Sequence, residues 1–158
     1  MRKTRWLILV VLLVAIGGAV YALSRFSLSA LEEPGRFETY AATKAKIWLV
    51  RRAARETLPP APANDATSVA IGQMSYTGEC ASCHGTSGHK PTDVGRWMYP
   101  RTIALASPEV QQWSDAELFW IIKHGIRLSG MPGFGKIHSD DRIWHLVHYV
   151  RSVAKPQP

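Results

Sequence analysis

Cys80-Ala81-Ser82-Cys83-His84 constrains this chain more than any other stretch. Two thiols three positions apart, followed at once by a histidine, form the attachment spacing of a c-type haem. The cysteines reach the two vinyl groups of one porphyrin, and the histidine is placed to bind the iron. Two other readings of the pair are weaker. A thioredoxin-like couple needs a βαβ context, and nothing near Cys80 alternates like a strand. A structural zinc site needs four Cys/His ligands, and the chain holds no third cysteine. With both cysteines committed to the motif, no disulfide framework is available. Haem c is attached outside the cytoplasm, so the motif also puts its own segment on the exported side.

At 158 residues there is room for one ordinary domain and an extension. The net charge of +7 is unevenly spread. Residues 1–59 hold ten Lys/Arg against four Glu, whereas residues 60–158 hold nine against eight acidic groups. The high isoelectric point therefore belongs to the first third and gives no support for nucleic-acid binding.

Trp6 to Leu23 is a run of 18 residues without a charge, near the lower limit for a membrane-spanning helix. Arg2, Lys3 and Arg5 precede it, which keeps residues 1–5 cytoplasmic by the positive-inside rule. Trp6 and Tyr21 suit the two interfaces. A cleaved signal peptide is the rival, but its apolar core runs about 7–15 residues, and Val20-Tyr21-Ala22 is a poor cleavage site. The reading is a transmembrane anchor over 6–23. The basic residues downstream of the run oppose this orientation; the haem motif overrules them.

Residues 24–66 read as a juxtamembrane segment. From Pro34 to Leu58 the pattern is helical, with Phe37, Tyr40, Ala41, Ala45 and Trp48 recurring at three- and four-residue steps among Lys44, Lys46, Arg51, Arg52 and Arg55. A basic amphipathic helix of this kind lies on anionic lipid, docks on a partner, or serves as a solvated spacer. Pro59-Pro60-Ala61-Pro62-Ala63 ends it as a stiff linker and the expected domain boundary.

Residues 67–158 then read as an all-α haem domain. Helices are expected over Ala66–Ser82, Ser114–Gly125 and Ser139–Lys155. The second opens on the capping box Ser114-x-x-Glu117, and the third opens on Ser139 with two aspartates in its first turn.

Gly72 and Tyr76 ahead of Cys80, the run C-A-S-C-H-G from Cys80, G-M-P-G-F from Gly130 and L-V-H-Y from Leu146 resemble the class I cytochrome c family over about residues 67–154. The resemblance implies that the first and last helices of the domain cross at Gly72, Tyr76, Leu146 and Tyr149. It implies His84 as the proximal iron ligand and Met131, in a loop bracketed by Gly and Pro, as the distal one. Met98 stays open as the alternative methionine. A proline carbonyl should accept the other ring N–H of His84, with Pro100 preferred over Pro91. Arg96, Trp97 and Arg101 are candidate contacts of the haem propionates.

A His/Met pair raises the reduction potential and leaves no open iron position for a small-molecule substrate. The expectation is one-electron transfer to and from redox protein partners, by a tethered carrier or by a fixed subunit of a larger oxidoreductase. A sensor with a displaceable Met131 ranks behind both.

Overall fold

The computed structural model describes residues 2–25, 27, 29–55 and 58–154, and among these there is helix but no strand. The chain divides into two compact units, residues 1–32 and 33–158.

The first unit is one helix, α1 (Arg2–Ser24). Its large apolar side chains are exposed around the whole circumference, Trp6 and Tyr21 included. A helix apolar on all sides belongs in a hydrocarbon environment. The candidate span Lys3–Ser24 has 22 residues, which at 1.5 Å each covers about 33 Å, close to the thickness of a bilayer core.

The second unit holds α2 (Arg36–Ala53), α3 (Ala66–Glu79), α4 (Ala81–His84), α5 (Asp93–Trp97), α6 (Pro108–Gln111), α7 (Asp115–His124) and α8 (Asp140–Val153). A short 3-10 turn at Phe134–Lys136 follows the Met131 loop. The capping box forms as expected: Glu117 N–H donates to Ser114 Oγ, and Ser114 N–H donates to the Glu117 carboxylate at 2.7 Å. Ser139 caps α8 with its hydroxyl alone, which accepts from Arg142 N–H at 3.3 Å. The expected end of α8 at Lys155 lies outside the described residues.

The principal contact is the crossing of α3 on α8. Gly72 permits it, because a Cβ there would lie 2.0 Å from the His145 carbonyl oxygen. Above this contact the Tyr76 and Tyr149 rings meet at 4.8 Å. Tyr76, Phe119, Ile143, Leu146 and Val147 are fully buried, and Phe119 packs on Trp144 at 4.6 Å.

The same crossing carries a buried polar group. Ser68 Oγ sits 2.6 Å from Nδ1 of both His145 and His148. Burial pushes the His148 imidazole below its ordinary value, with Asp115 opposing, His145 adding and Asp65 opposing. The unfolded chain therefore takes up this proton near pH 6.5 and the folded chain does so only at lower pH. Folding stability should fall as pH drops through about 6.5. Urea unfolding at pH 7.5 and 5.5 checks this, and His148→Gln should flatten the difference.

The helix bounds ahead of the Pro/Ala segment need correction. The helix expected over Pro34–Leu58 is shorter, Arg36–Ala53, and it packs on the core through residues that the sequence reading did not mark. Phe37, Tyr40 and Trp48 remain exposed, with Lys44 and Arg52 lying over the Tyr40 and Trp48 rings. Ile47 and Val50 face the core instead, and α2 packs on α7 with Arg51 3.5 Å from Glu117. The Pro/Ala segment lies within the second unit. Leu58 packs on the core, and Trp144 donates its indole N–H to the Pro59 carbonyl at 3.2 Å.

Candidate functional site

The helix expected over Ala66–Ser82 breaks at Cys80, which ends α3 and caps α4. The break lets Cys80, Cys83 and His84 turn towards one cavity, whose walls include Met98, Met131 and Phe134. Gly85, at φ +81°, then reverses the chain against Lys90, a conformation that side chains beyond glycine rarely adopt. Its carbonyl accepts a hydrogen bond from the buried Tyr76 hydroxyl, which ties the α3–α8 crossing to the end of the motif. Thr92 holds the other side: its hydroxyl donates to the Ser82 carbonyl at 2.7 Å and accepts from Gly95 N–H at 3.1 Å.

The thiols are not joined to each other. Burial, with Glu79 and Cys83 adding, pushes the Cys80 thiol up to about 12. The free Cys80 thiol is therefore neutral at ordinary pH. Among the described residues, no cluster of three or more His, Cys, Asp or Glu is arranged to hold a metal by itself.

His84 is fixed by one contact. Its Nδ1 lies 3.0 Å from the Ile103 carbonyl oxygen. A carbonyl only accepts, so Nδ1 carries the proton and Nε2 keeps its lone pair. Burial holds the imidazole below its ordinary pKa, and the Ile103 bond opposes this only in part. The neutral form is the one that binds iron. The acceptor is thus Ile103 and not the expected Pro100. Pro100 lines the cavity, but the loop runs on past it and brings the carbonyl three residues later to the ring.

Two methionines, Met98 and Met131, line the cavity. Met98 Sδ accepts from the Thr102 hydroxyl at 3.6 Å, and its side chain lies over Gly130. The Met131 loop is held through its backbone: Met131 N–H donates to Ser129 Oγ at 3.2 Å, and the Met131 carbonyl accepts from Ile126 N–H at 3.2 Å. Of the three candidate propionate contacts, only Arg101 borders the cavity, and its guanidinium pairs with Glu33. Arg96 pairs with Asp93, and Trp97 is exposed; neither lines the cavity. His124 is exposed at the end of α7 against Trp120. His138 pairs with Glu79 at 2.5 Å.

Two signals escaped the sequence reading. A backbone carbonyl acceptor carries no residue type, so Ile103 left no mark. Lys46, on α2, also borders the cavity, although it lies outside the stretch that resembles a haem domain.

Paired thiols, a neutral imidazole with its lone pair free and a thioether loop on one largely apolar cavity, within an all-helical unit, define a c-type cytochrome domain. Residues 67–150 match the family model described as cytochrome c oxidase, cbb3-type, subunit III, and the chain belongs to that family. Haem c is its cofactor, and its chemistry is electron transfer. Among solved structures, a chain of the reducing HAO-like protein complex of Kuenenia stuttgartiensis is similar in fold, with a TM-score of 0.53 and 23% identity. The similarity covers 60% of this chain and 47% of that one, so the present chain spans about half the length of its structural relative. The search of curated proteins found no match.

Proposed function

We propose that the chain is a monohaem electron carrier anchored by α1 in a bacterial inner membrane, its iron held between His84 and Met131. It moves single electrons between respiratory or dehydrogenase complexes on the exported side. The observation that carries this reading is the Ile103 contact, which leaves the Nε2 lone pair of His84 available beside both cysteines. Bound haem c supplies a one-electron iron couple. The chain's own residues do the rest: Cys80 and Cys83 hold the porphyrin covalently, and Ile103 orients His84. Met131 would hold the iron together with His84, which would leave no site for a small-molecule substrate. Met131 is preferred to Met98 because the Met98 sulfur is already engaged by Thr102.

A second reading makes the chain an electron-entry or electron-exit subunit of a larger oxidoreductase. The exposed Phe37, Tyr40 and Trp48 on α2 favour it, since aromatic side chains with adjacent cations are suited to protein interfaces. Mild detergent extraction followed by native electrophoresis separates the two. The carrier is expected to migrate alone with its haem stain; co-migration with a stable set of redox subunits supports the second reading and overturns the first.

A further inference from the structure

The second unit contains a helix that the family match does not reach. The match begins at residue 67, yet α2, at Arg36–Ala53, is built into the same unit. Ile47 packs against the core and Val50 is 2% exposed within it. Upstream of these residues, Glu33 pairs with Arg101 and Glu38 accepts from the Tyr99 hydroxyl. Both contacts grip the loop that borders the haem cavity beside Met98. Between these two points of attachment, Lys46 reaches the cavity itself.

The charges around that cavity are unequally satisfied. Arg101 is neutralised by Glu33, and the Glu79 carboxylate is taken by His138. Lys46 makes no ion pair among the described residues. A haem brings two carboxylates with it, and a cation that borders the cavity with no ion pair among the described residues is the group to receive one. A lysine at the end of a flexible stem suits this role as a point charge rather than a bidentate clamp.

We propose that α2 is a wall of the haem crevice and that Lys46 is the counter-ion of a haem propionate. The inference rests on the haem reading above and goes beyond it, since it assigns a cofactor contact to a helix outside the matched domain. Its consequence is electrostatic. A cation at the crevice disfavours the extra positive charge of oxidised iron, so Lys46 holds the reduction potential up. Any partner or surface that moves α2 would then change the potential as well.

The test is a charge series at Lys46 in the full-length, haem-loaded protein. Potentiometric titration should rank the potentials as wild type and Lys46→Arg highest, Lys46→Gln lower and Lys46→Glu lowest, all with the same low-spin absorption spectrum. Redox-difference infrared spectra should show the propionate carboxylate bands of Lys46→Gln displaced from wild type and those of Lys46→Arg displaced less. Unchanged propionate bands in Lys46→Gln, or potentials that do not follow charge, would overturn the proposal. Failure of the wild-type protein to show a low-spin haem spectrum would instead sink the His/Met reading, so the two failures are distinguishable.

Discussion

Gly72→Ala is expected to cost the folded protein about 3 kcal/mol or more, the upper part of the range for overpacking a core. The added Cβ would stand 2.0 Å from the His145 carbonyl oxygen and 2.9 Å from Tyr149 Cβ. Both neighbours are main chain or the root of a side chain, so neither can swing aside. The helices must part by more than an ångström, and the Tyr76–Tyr149 contact parts with them. Domains of this size are stable by only about 5–15 kcal/mol. A loss of this order lowers the thermal midpoint by roughly 10–20 °C. Gly78→Ala on the same helix is the control, because a Cβ there meets nothing within 4 Å. Removing a glycine from an exposed helical position stabilises by up to about 1 kcal/mol. Thermal unfolding followed by circular dichroism should therefore move in opposite directions for the two alanines. Equal midpoints would mean that α3 does not press on α8 in the way described.

Met131→Ala should produce the largest functional change. On the proposed ligation, loss of the thioether would free one iron position, so the reduced protein should bind carbon monoxide rapidly and lose its low-spin spectrum. Axial ligands set haem potentials over a span of roughly 0.8 V, and a drop on the order of 0.1 V or more is expected here. Met98→Ala is the paired variant. Its sulfur is hydrogen-bonded to Thr102, and its removal should leave the spectrum low-spin and the potential close to wild type. If the two variants exchange these phenotypes, Met98 is the ligand and the assignment of Met131 falls. His84 offers no such ambiguity, since it follows Cys83 directly and carries the Ile103 bond.

Much of the haem domain was legible in the residues because its signals are local. The spacing of Cys80, Cys83 and His84 is a covalent requirement. The capping box at Ser114 and Glu117 depends on three intervening residues. The apolar side chains of α8 declare its buried face through their period. Gly72 was legible only through the resemblance to class I cytochromes c, since Gly78 in the same helix approaches nothing. The reading failed where a feature depended on partners distant in sequence. The sequence reading of α2 left its aromatic face to lipid, a partner or solvent, and Phe37, Tyr40 and Trp48 are exposed; it did not mark Ile47 and Val50, which pack with the core. A helical repeat states which residues share a face; it does not state which face meets a neighbour.

The loop from Tyr99 to Ile103 shows the same division. Its sequence offered Pro100 as the acceptor for His84, but backbone carbonyls are present at every residue and only the path of the loop selects one. Glu33 and Glu38 likewise gave no sign that they would hold Arg101 and Tyr99, more than sixty positions away. The amino-acid sequence alone determined the cofactor, its covalent attachment and the apolar helix long enough to cross a membrane. Each of these follows from bonds or periodicities within a few residues. The tertiary structure decided which carbonyl orients the imidazole, which face of α2 is covered and that Lys46 stands at the crevice. Those outcomes depend on packing between segments far apart in the chain, and no local pattern encodes them.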